Sequence, residues 1–313
     1  MEKQIYEFHF APLQGYSDHI FRNAFERHFG GIDAYYTPFI RIEKGDFRRR
    51  DVRDIDPGLN SVPQLIPQIL PGTHDEFCRL TEMLCERGYH RADVNLGCPF
   101  PLIAGKKKGA GMLPYPGLVE ELLRTMEEFP SMLFSLKMRL GWENEQECLA
   151  LVDIINGCPL EHITLHARTG KQQYKGPVLL DAFAAFYESV KHPLLYNGDI
   201  LTVDDINRIL QIFPALKGIA AGRGLLANPW LAAQFKQQET GDEKRYKEVV
   251  ADFHRELFTA YAGTLQGETQ LLNKMKSFWE YFLPSTNRKL LKTIKKSNRI
   301  SQYEEVVKLI FGR

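Results

Sequence analysis

The sequence predicts an α/β fold: a (β/α)8 TIM barrel followed by a small C-terminal helical domain. Two observations carry that prediction. Short β-type runs alternate with amphipathic helical stretches from residue 6 to about residue 235, and from Asp242 onward long helical patterns stand alone. Eight runs qualify as strands by length, branched and aromatic content and flanking Gly, Pro or Asn. They are Tyr6 to Ala11, Asp33 to Phe39, Val62 to Leu70, Arg91 to Asn95, Met132 to Met138, His162 to His166, Pro193 to Asn197 and Lys217 to Ala221. Between them HDEFCRLTEMLCERG, YPGLVEELLRTMEEF, NEQECLALVDIIN and TVDDINRILQIF have the length and apolar spacing of helices with one buried face. Eight such units close naturally into a barrel, with a doubly wound open sheet as the alternative. The expected domains are a barrel over residues 1–238 and a helical domain over 242–313. The second comprises KEVVADFHRELFTAYAGTL, QLLNKMKSFWEYFL, NRKLLKTIKKS and QYEEVVKLIF.

Composition narrows the function. The 313 residues carry 40 Lys plus Arg against 39 Asp plus Glu, and a net charge of +1 excludes a uniformly basic nucleic-acid coat. The balance is uneven along the chain. Residues 271–313 hold ten Lys or Arg and three acids, +7, which leaves −6 for the preceding 270. Such a tail fits either a grip on nucleic acid or a solvated helix face. No apolar run approaches the roughly 18 residues of a membrane span, and MEKQIYEFHF lacks a leader's apolar stretch, so a cytoplasmic protein without membrane contact is expected. Five cysteines without a C-x-x-C pair suggest neither a disulfide framework nor a paired-cysteine zinc site, and no metal is expected. No heptad or strong apolar stripe demands a partner copy, so the expectation is a monomer.

In a barrel of this kind chemistry collects at the C-terminal ends of the strands. There the chain offers Ala11-Pro12-Leu13-Gln14-Gly15, Gln64 and Gln68, Asn95-Leu96-Gly97-Cys98-Pro99, Lys137-Met138-Arg139, His166-Ala167-Arg168-Thr169, Asn197-Gly198-Asp199 and Gly222-Arg223-Gly224. Each has a plain structural reading as a turn or helix cap, but their joint occurrence points to a site. Gly222 to Gly224, with Arg223 adding a fixed positive charge, reads as a phosphate cradle after the eighth strand. Lys137 on the fifth strand would face the other end of whatever that phosphate anchors.

APLQGYSD, Gln68, DVNLGCPFP, GAGML-x-YP, LKMRLGW, ITLHART, YNGDI and AAGRGLLANPWL, in this order, together resemble the tRNA-dihydrouridine synthase family of flavin-dependent barrels. NLGCP followed by GAGML, eleven residues after Cys98, is the most distinctive pair. The resemblance implies FMN at the barrel mouth and NADPH as reductant. It places Pro12, Leu13 and Gln14 (backbone) and Gln68 (side chain) against the flavin and Lys137 at its N1/O2 edge. His166 would lie between ring and phosphate, with Asn197, Gly198, Asp199, Gly222 and Arg223 around the ribityl phosphate. The implied reaction reduces the C5=C6 bond of a specific uridine in tRNA to 5,6-dihydrouridine, with hydride to C6 and a proton from Cys98 to C5. An ordinary thiol is mostly protonated at neutral pH and can donate without tuning. Asn95 would pair with the uracil edge or cap its own loop, and Arg139 and Arg168 would touch uracil or a neighbouring phosphate. The basic tail, Lys106 to Lys108 and Arg48 to Arg50 would grip the tRNA backbone while the base leaves its stack. One departure stands out: Pro101 occupies the place where family members commonly carry Lys, which bears on the uridine chosen. The alternatives are another FMN-dependent TIM-barrel oxidoreductase acting on a small molecule, and a non-catalytic tRNA-binding chaperone.

Overall fold

The computed structural model describes residues 5–238 and 240–312. The first four residues of the stretch read for a leader, and Arg313 of the basic tail, lie outside them. Eight parallel strands close into a barrel: β1 (Glu7–Phe10), β2 (Ala34–Tyr36), β3 in two pieces (Leu65–Ile66 and Gln68–Ile69), β4 (Arg91–Leu96), β5 (Leu133–Arg139), β6 (Leu160–His166), β7 (Leu194–Asn197) and β8 (Gly218–Ala221). β1 closes the ring, with Phe10 opposite Ala221 of β8 and His9 opposite Ala34 of β2.

The third strand departs from the single run expected over Val62 to Leu70. Pro67 has no N–H for a ladder, so the strand divides there: Ile66 pairs with Tyr36 on one side, Gln68 with Asp93 on the other. The Pro67 carbonyl still accepts the Asp93 N–H at 2.9 Å, which keeps the barrel shut. A hairpin at Ile42–Glu43 and Asp46–Phe47 had no signal in the strand pattern.

Helices α1 (His19–His28), α2 (His74–Glu86), α3 (Pro116–Arg124), α4 (Val152–Asn156), α5 (Leu180–Ser189) and α6 (Val203–Ile212) cover the outside. Their starts follow from local chemistry. The Thr73 hydroxyl caps α2 through the Glu76 N–H, and Thr202 with Asp205 forms a full capping box on α6. LLANPWLAAQF, expected as one helix, is two, α7 (Arg223–Ala227) and α8 (Leu231–Phe235), because Pro229 cannot continue a helix.

Four helices complete the chain: α9 (Glu243–Ala262), α10 (Glu268–Phe278), α11 (Arg288–Lys296) and α12 (Ile300–Phe311). They pack on α1 through an aromatic core edged by Glu256 of α9, which pairs with Arg27 and with His28 (2.8 Å) of α1. Phe253 of α9 is fully buried, with its ring against Phe21 and Phe25 of α1, Phe29 just past its end, and Phe278 and Phe282. Polar ties then lock this layer to the β1 loop: Lys274 reaches the Gly15 carbonyl at 2.7 Å and Asp18 at 2.8 Å, and the Tyr261 hydroxyl donates to Asp18 at 2.7 Å. The helical layer is therefore fixed against the loop that forms one wall of the barrel mouth. Among the described residues no helix is long and apolar enough to cross a membrane.

Candidate active site

A cleft of about 350 Å³ opens at the C-terminal mouth. Pro12, Leu13, Gln14, Gln68, Asn95, Cys98, Lys137, Arg139, His166, Asn197, Gly198, Asp199, Gly222 and Arg223 all line it. Of the residues that the resemblance places at the barrel mouth, Arg168 alone stays out of that wall.

The wall is built by a buried polar chain that starts inside the barrel. The Asp93 carboxylate accepts from Ser135 Oγ and from Gln68 Nε2, both at 2.6 Å. Gln68 Oε1 accepts from Asn95 Nδ2 at 2.6 Å, and Asn95 Oδ1 accepts the N–H groups of Gly97 (2.9 Å) and Cys98 (2.8 Å). Of the two roles open to Asn95, the geometry builds the loop cap. Gln68 keeps one amide hydrogen and one lone pair for a ligand. Burial raises the Asp93 carboxyl above its ordinary value, and its hydrogen bonds with Ser135 and Gln68 pull the other way.

Beyond the cap the chain makes a short helical turn, Pro101–Ala104, and folds back so that the Ala110 N–H donates to the Cys98 carbonyl at 3.1 Å. The GAG run has a steric cause. A Cβ on Gly109 (φ +55) would sit 2.9 Å from the Cys98 Cβ, and one on Gly111 2.2 Å from the Ala104 carbonyl oxygen. Pro101, the departure noted in the sequence, takes the first helical position, where a missing N–H does no harm.

Burial lifts the Cys98 thiol above its ordinary pKa, against the smaller pull of Arg139, Arg41 and Lys137. It therefore keeps its proton at neutral pH. On the neighbouring strand, where Lys137 pairs in register with Asn95, burial lowers the Lys137 ammonium, assisted by the like charge of Arg139. Lys137 donates to Asn197 Oδ1 at 3.4 Å, and Asn197 Nδ2 to the Ala220 carbonyl at 2.6 Å. Burial, then the surrounding Arg139, Lys137, Arg168 and Arg223, holds the His166 ring well below its ordinary value, so it is neutral.

Three expectations change in detail. Arg168 is 2% exposed and does not itself line the cleft; behind the wall its guanidinium donates to Asp199 (2.9 Å) and to the Gly176 carbonyl (2.7 Å). Arg139 lines the cleft, yet its donors brace the Gly97, Thr169 and Gln173 carbonyls at 2.8–3.0 Å. Leu13 offers the cleft its side chain, because its N–H donates to Ser17 Oγ at 2.9 Å and its carbonyl accepts from Tyr16 and Ser17. The surface cations thin out too: Arg48 is paired with Asp51 and Lys108 with Glu76, which leaves Arg49, Arg50, Lys106 and Lys107 exposed.

Sequence reasoning missed Tyr174, Tyr281, Pro38 and Phe39, which also line the cleft. Tyr174 stacks under Arg223 (4.2 Å) and sits in the loop after the sixth strand, where the barrel rule could have found it. Tyr281 comes from the helical tail, packed edge-on to Tyr16 at 5.5 Å, and only the tertiary fold brings it there. Among the described residues the one cluster with metal-ligand chemistry, His74, Cys78 and Glu128, does not line the cleft.

Three cations, Lys137, Arg139 and Arg223, face the single carboxylate of Asp199, so the cleft is built for an anion. Its Gly198 and Gly222 end is shaped by close backbone approach: a Cβ on Gly198 (φ +143) would meet Val178 at 2.9 Å, and one on Gly224 would sit 1.8 Å from the Ile200 carbonyl oxygen. Fold and cleft thus define a class: a (β/α)8 barrel receiving an anionic ligand at its mouth, with a protonated thiol on the rim. The dihydrouridine synthase (Dus) family model matches residues 9–310, and the chain belongs to that family. It is 31% identical to tRNA-dihydrouridine(16) synthase of Pseudomonas syringae pv. tomato over 74% of this chain and 75% of that one. It is 29% identical to tRNA-dihydrouridine synthase B of Pasteurella multocida, over 75% and 69%. Morphinone reductase shares the fold at TM-score 0.54 and 10% identity, over 74% of this chain and 86% of that one.

Proposed function

We propose that this chain reduces the C5=C6 bond of a uridine in tRNA to 5,6-dihydrouridine, holding FMN at the barrel mouth and using NADPH as reductant. The observation that carries the reading is the Cys98 thiol, held protonated by burial, in the wall of a cleft that Lys137, on the neighbouring strand, and Arg223 also line. An FMN phosphate fits the Gly198, Gly222 and Arg223 end, with the Asp199 carboxylate holding Arg168 and Arg223 in place. Lys137 fits the edge of the ring where negative charge gathers. When bound, reduced FMN supplies the hydride for C6. Cys98 gives its proton to C5, the S–H bond breaks, and the nearby charges of Arg139 and Arg41 steady the thiolate until solvent reprotonates it.

The family and its relatives named for tRNA support tRNA as the substrate. So does α11, where Arg288, Lys289, Lys292, Lys295 and Lys296 are all exposed. The test is to incubate the purified protein with NADPH and tRNA from a strain lacking dihydrouridine synthases, then measure dihydrouridine by nucleoside mass spectrometry. The expected protein is yellow and forms it; colourless protein that also refuses added FMN would overturn the reading.

A further inference from the structure

Large apolar side chains exposed by half or more are few among the described residues, and several crowd the barrel mouth. Phe100 is 55% exposed and Leu102 71%, on the turn that follows Cys98; Tyr174 (50%) and Leu201 (52%) line the cleft from the loops after β6 and β7. An apolar rim around a polar cleft needs a reason. The Phe100–Leu102 turn is also held rigidly. Ile103 and Ala104 are buried beneath it, Ile103 packing on Phe39 and Leu70, and Pro101 presets the helical turn. The Ile103 and Ala104 N–H groups both donate to the Phe100 carbonyl, at 2.8 and 2.9 Å. Around it the exposed charge is positive: Lys106, and Lys107 lying over the Tyr115 ring at 4.2 Å.

We infer that Phe100 and Leu102 form a wedge that enters the RNA stack and fills the gap left by the extruded uridine. The inference rests on the function proposed above. A base that must reach Cys98 leaves two neighbours unstacked, at a cost of a few kcal/mol, and an apolar side chain beside the pocket recovers part of it. Phe100 stands two residues from Cys98 and so sits where that gap opens. The bordering lysines select a polyanion over an apolar protein partner.

The test compares Phe100→Ala/Leu102→Ala, Phe100→Trp and wild type, each loaded with FMN and reduced by NADPH before mixing with tRNA. Both positions are exposed, so folding, flavin content and NADPH reduction stay unchanged. The double variant is expected to form dihydrouridine at least about 30-fold more slowly in a single turnover while tRNA Kd stays within about threefold, and Phe100→Trp to keep the wild-type rate. A double variant that reacts at the wild-type rate, a loss seen only in Kd, or a Trp variant as slow as the double would each overturn the wedge. Wild-type protein that forms no dihydrouridine would overturn the underlying function, and the wedge with it.

Discussion

Replacing Cys98 by Ala separates chemistry from folding, because the two consequences differ in size. Cys98 is half-buried and touches the small Phe39, Leu70 and Ile103 cluster, so losing its sulfur costs about 1 kcal/mol or less of stability. Losing a positioned general acid slows proton transfer by about 10² to 10⁴, equivalent to about 2.7 to 5.4 kcal/mol of barrier. The catalytic loss therefore dominates at any protein concentration. In an anaerobic stopped-flow experiment the FMN-loaded variant should be reduced by NADPH at the normal rate, and its reoxidation by tRNA should fall by that factor. Cys98→Ser should fare little better, since a hydroxyl is a much weaker acid than a thiol. The pH profile adds a second signature. Burial raises the Cys98 pKa, so the active protonated form persists through neutral pH, and the wild-type rate declines only above the ordinary thiol value of about 8.5. The Ala variant should lose that alkaline limb. A variant reoxidised by tRNA within about threefold of wild type would refute the role of the thiol.

Neutralising Arg288, Lys289, Lys292, Lys295 and Lys296 of α11 to Gln should weaken tRNA binding while leaving the flavin spectrum intact. The slope of log affinity against log salt should fall by about 0.7 to 0.9 for each cation that meets a phosphate. Phe253→Ala should destabilise the whole chain by about 3–5 kcal/mol in denaturant titration, because that ring joins α1 of the barrel to α10. Deleting the tail from Asp242 should for the same reason unfold the barrel's α1 face, which makes charge substitution the cleaner test of tRNA binding. Burial raises the Glu7 carboxyl, but bonds and charges from His9 and Lys217 outweigh it and hold the group at about 2. The stability it gives is present above the ordinary carboxyl range and lost as pH falls toward 2, so Glu7→Gln should flatten acid unfolding over that window.

The barrel was legible because parallel strands buried on both faces read as apolar runs, and because each unit repeats the same change of period. What escaped were effects of single prolines with tertiary consequences. Pro67 divides β3 and Pro229 divides the last barrel helix, and neither changes the apolar pattern around it. The site was legible by position, since almost every polar residue past a strand end lines the cleft. Its partner choices were not: Arg168 and Arg139 look alike in sequence, and only the Asp199 and Gly176 contacts turn one of them inward. Tyr281 could not be read at all, because residues 265 apart must meet for it to reach the loop of Tyr16.

The polar chain behind Cys98 has a direction, and Asp93 sets it. An amide side chain can turn over, exchanging donor for acceptor, but both ends of this chain are fixed. At one end the Gly97 and Cys98 N–H groups only donate; at the other the Asp93 carboxylate only accepts. Gln68 and Asn95 therefore have a single orientation each that satisfies every bond. Asp93→Asn would present an N–H₂ group either to Ser135 or to Gln68. If Gln68 turns over in response, its own N–H₂ meets that of Asn95, and the conflict passes to the cap of the catalytic loop. With the N–H₂ group toward Ser135, the hydroxyl must turn from donor to acceptor and two charge-assisted bonds become neutral ones, so the loss expected is about 1–3 kcal/mol of stability. It should be accompanied by a fall in dihydrouridine formation larger than the fall in flavin content, because the displaced group is the Cys98 backbone rather than the Gly198 and Gly222 loops. Asp93→Asn protein that matches wild type in denaturant midpoint and in single-turnover rate would show that the chain has no such polarity, and that the thiol is positioned by the Gly109 turn alone.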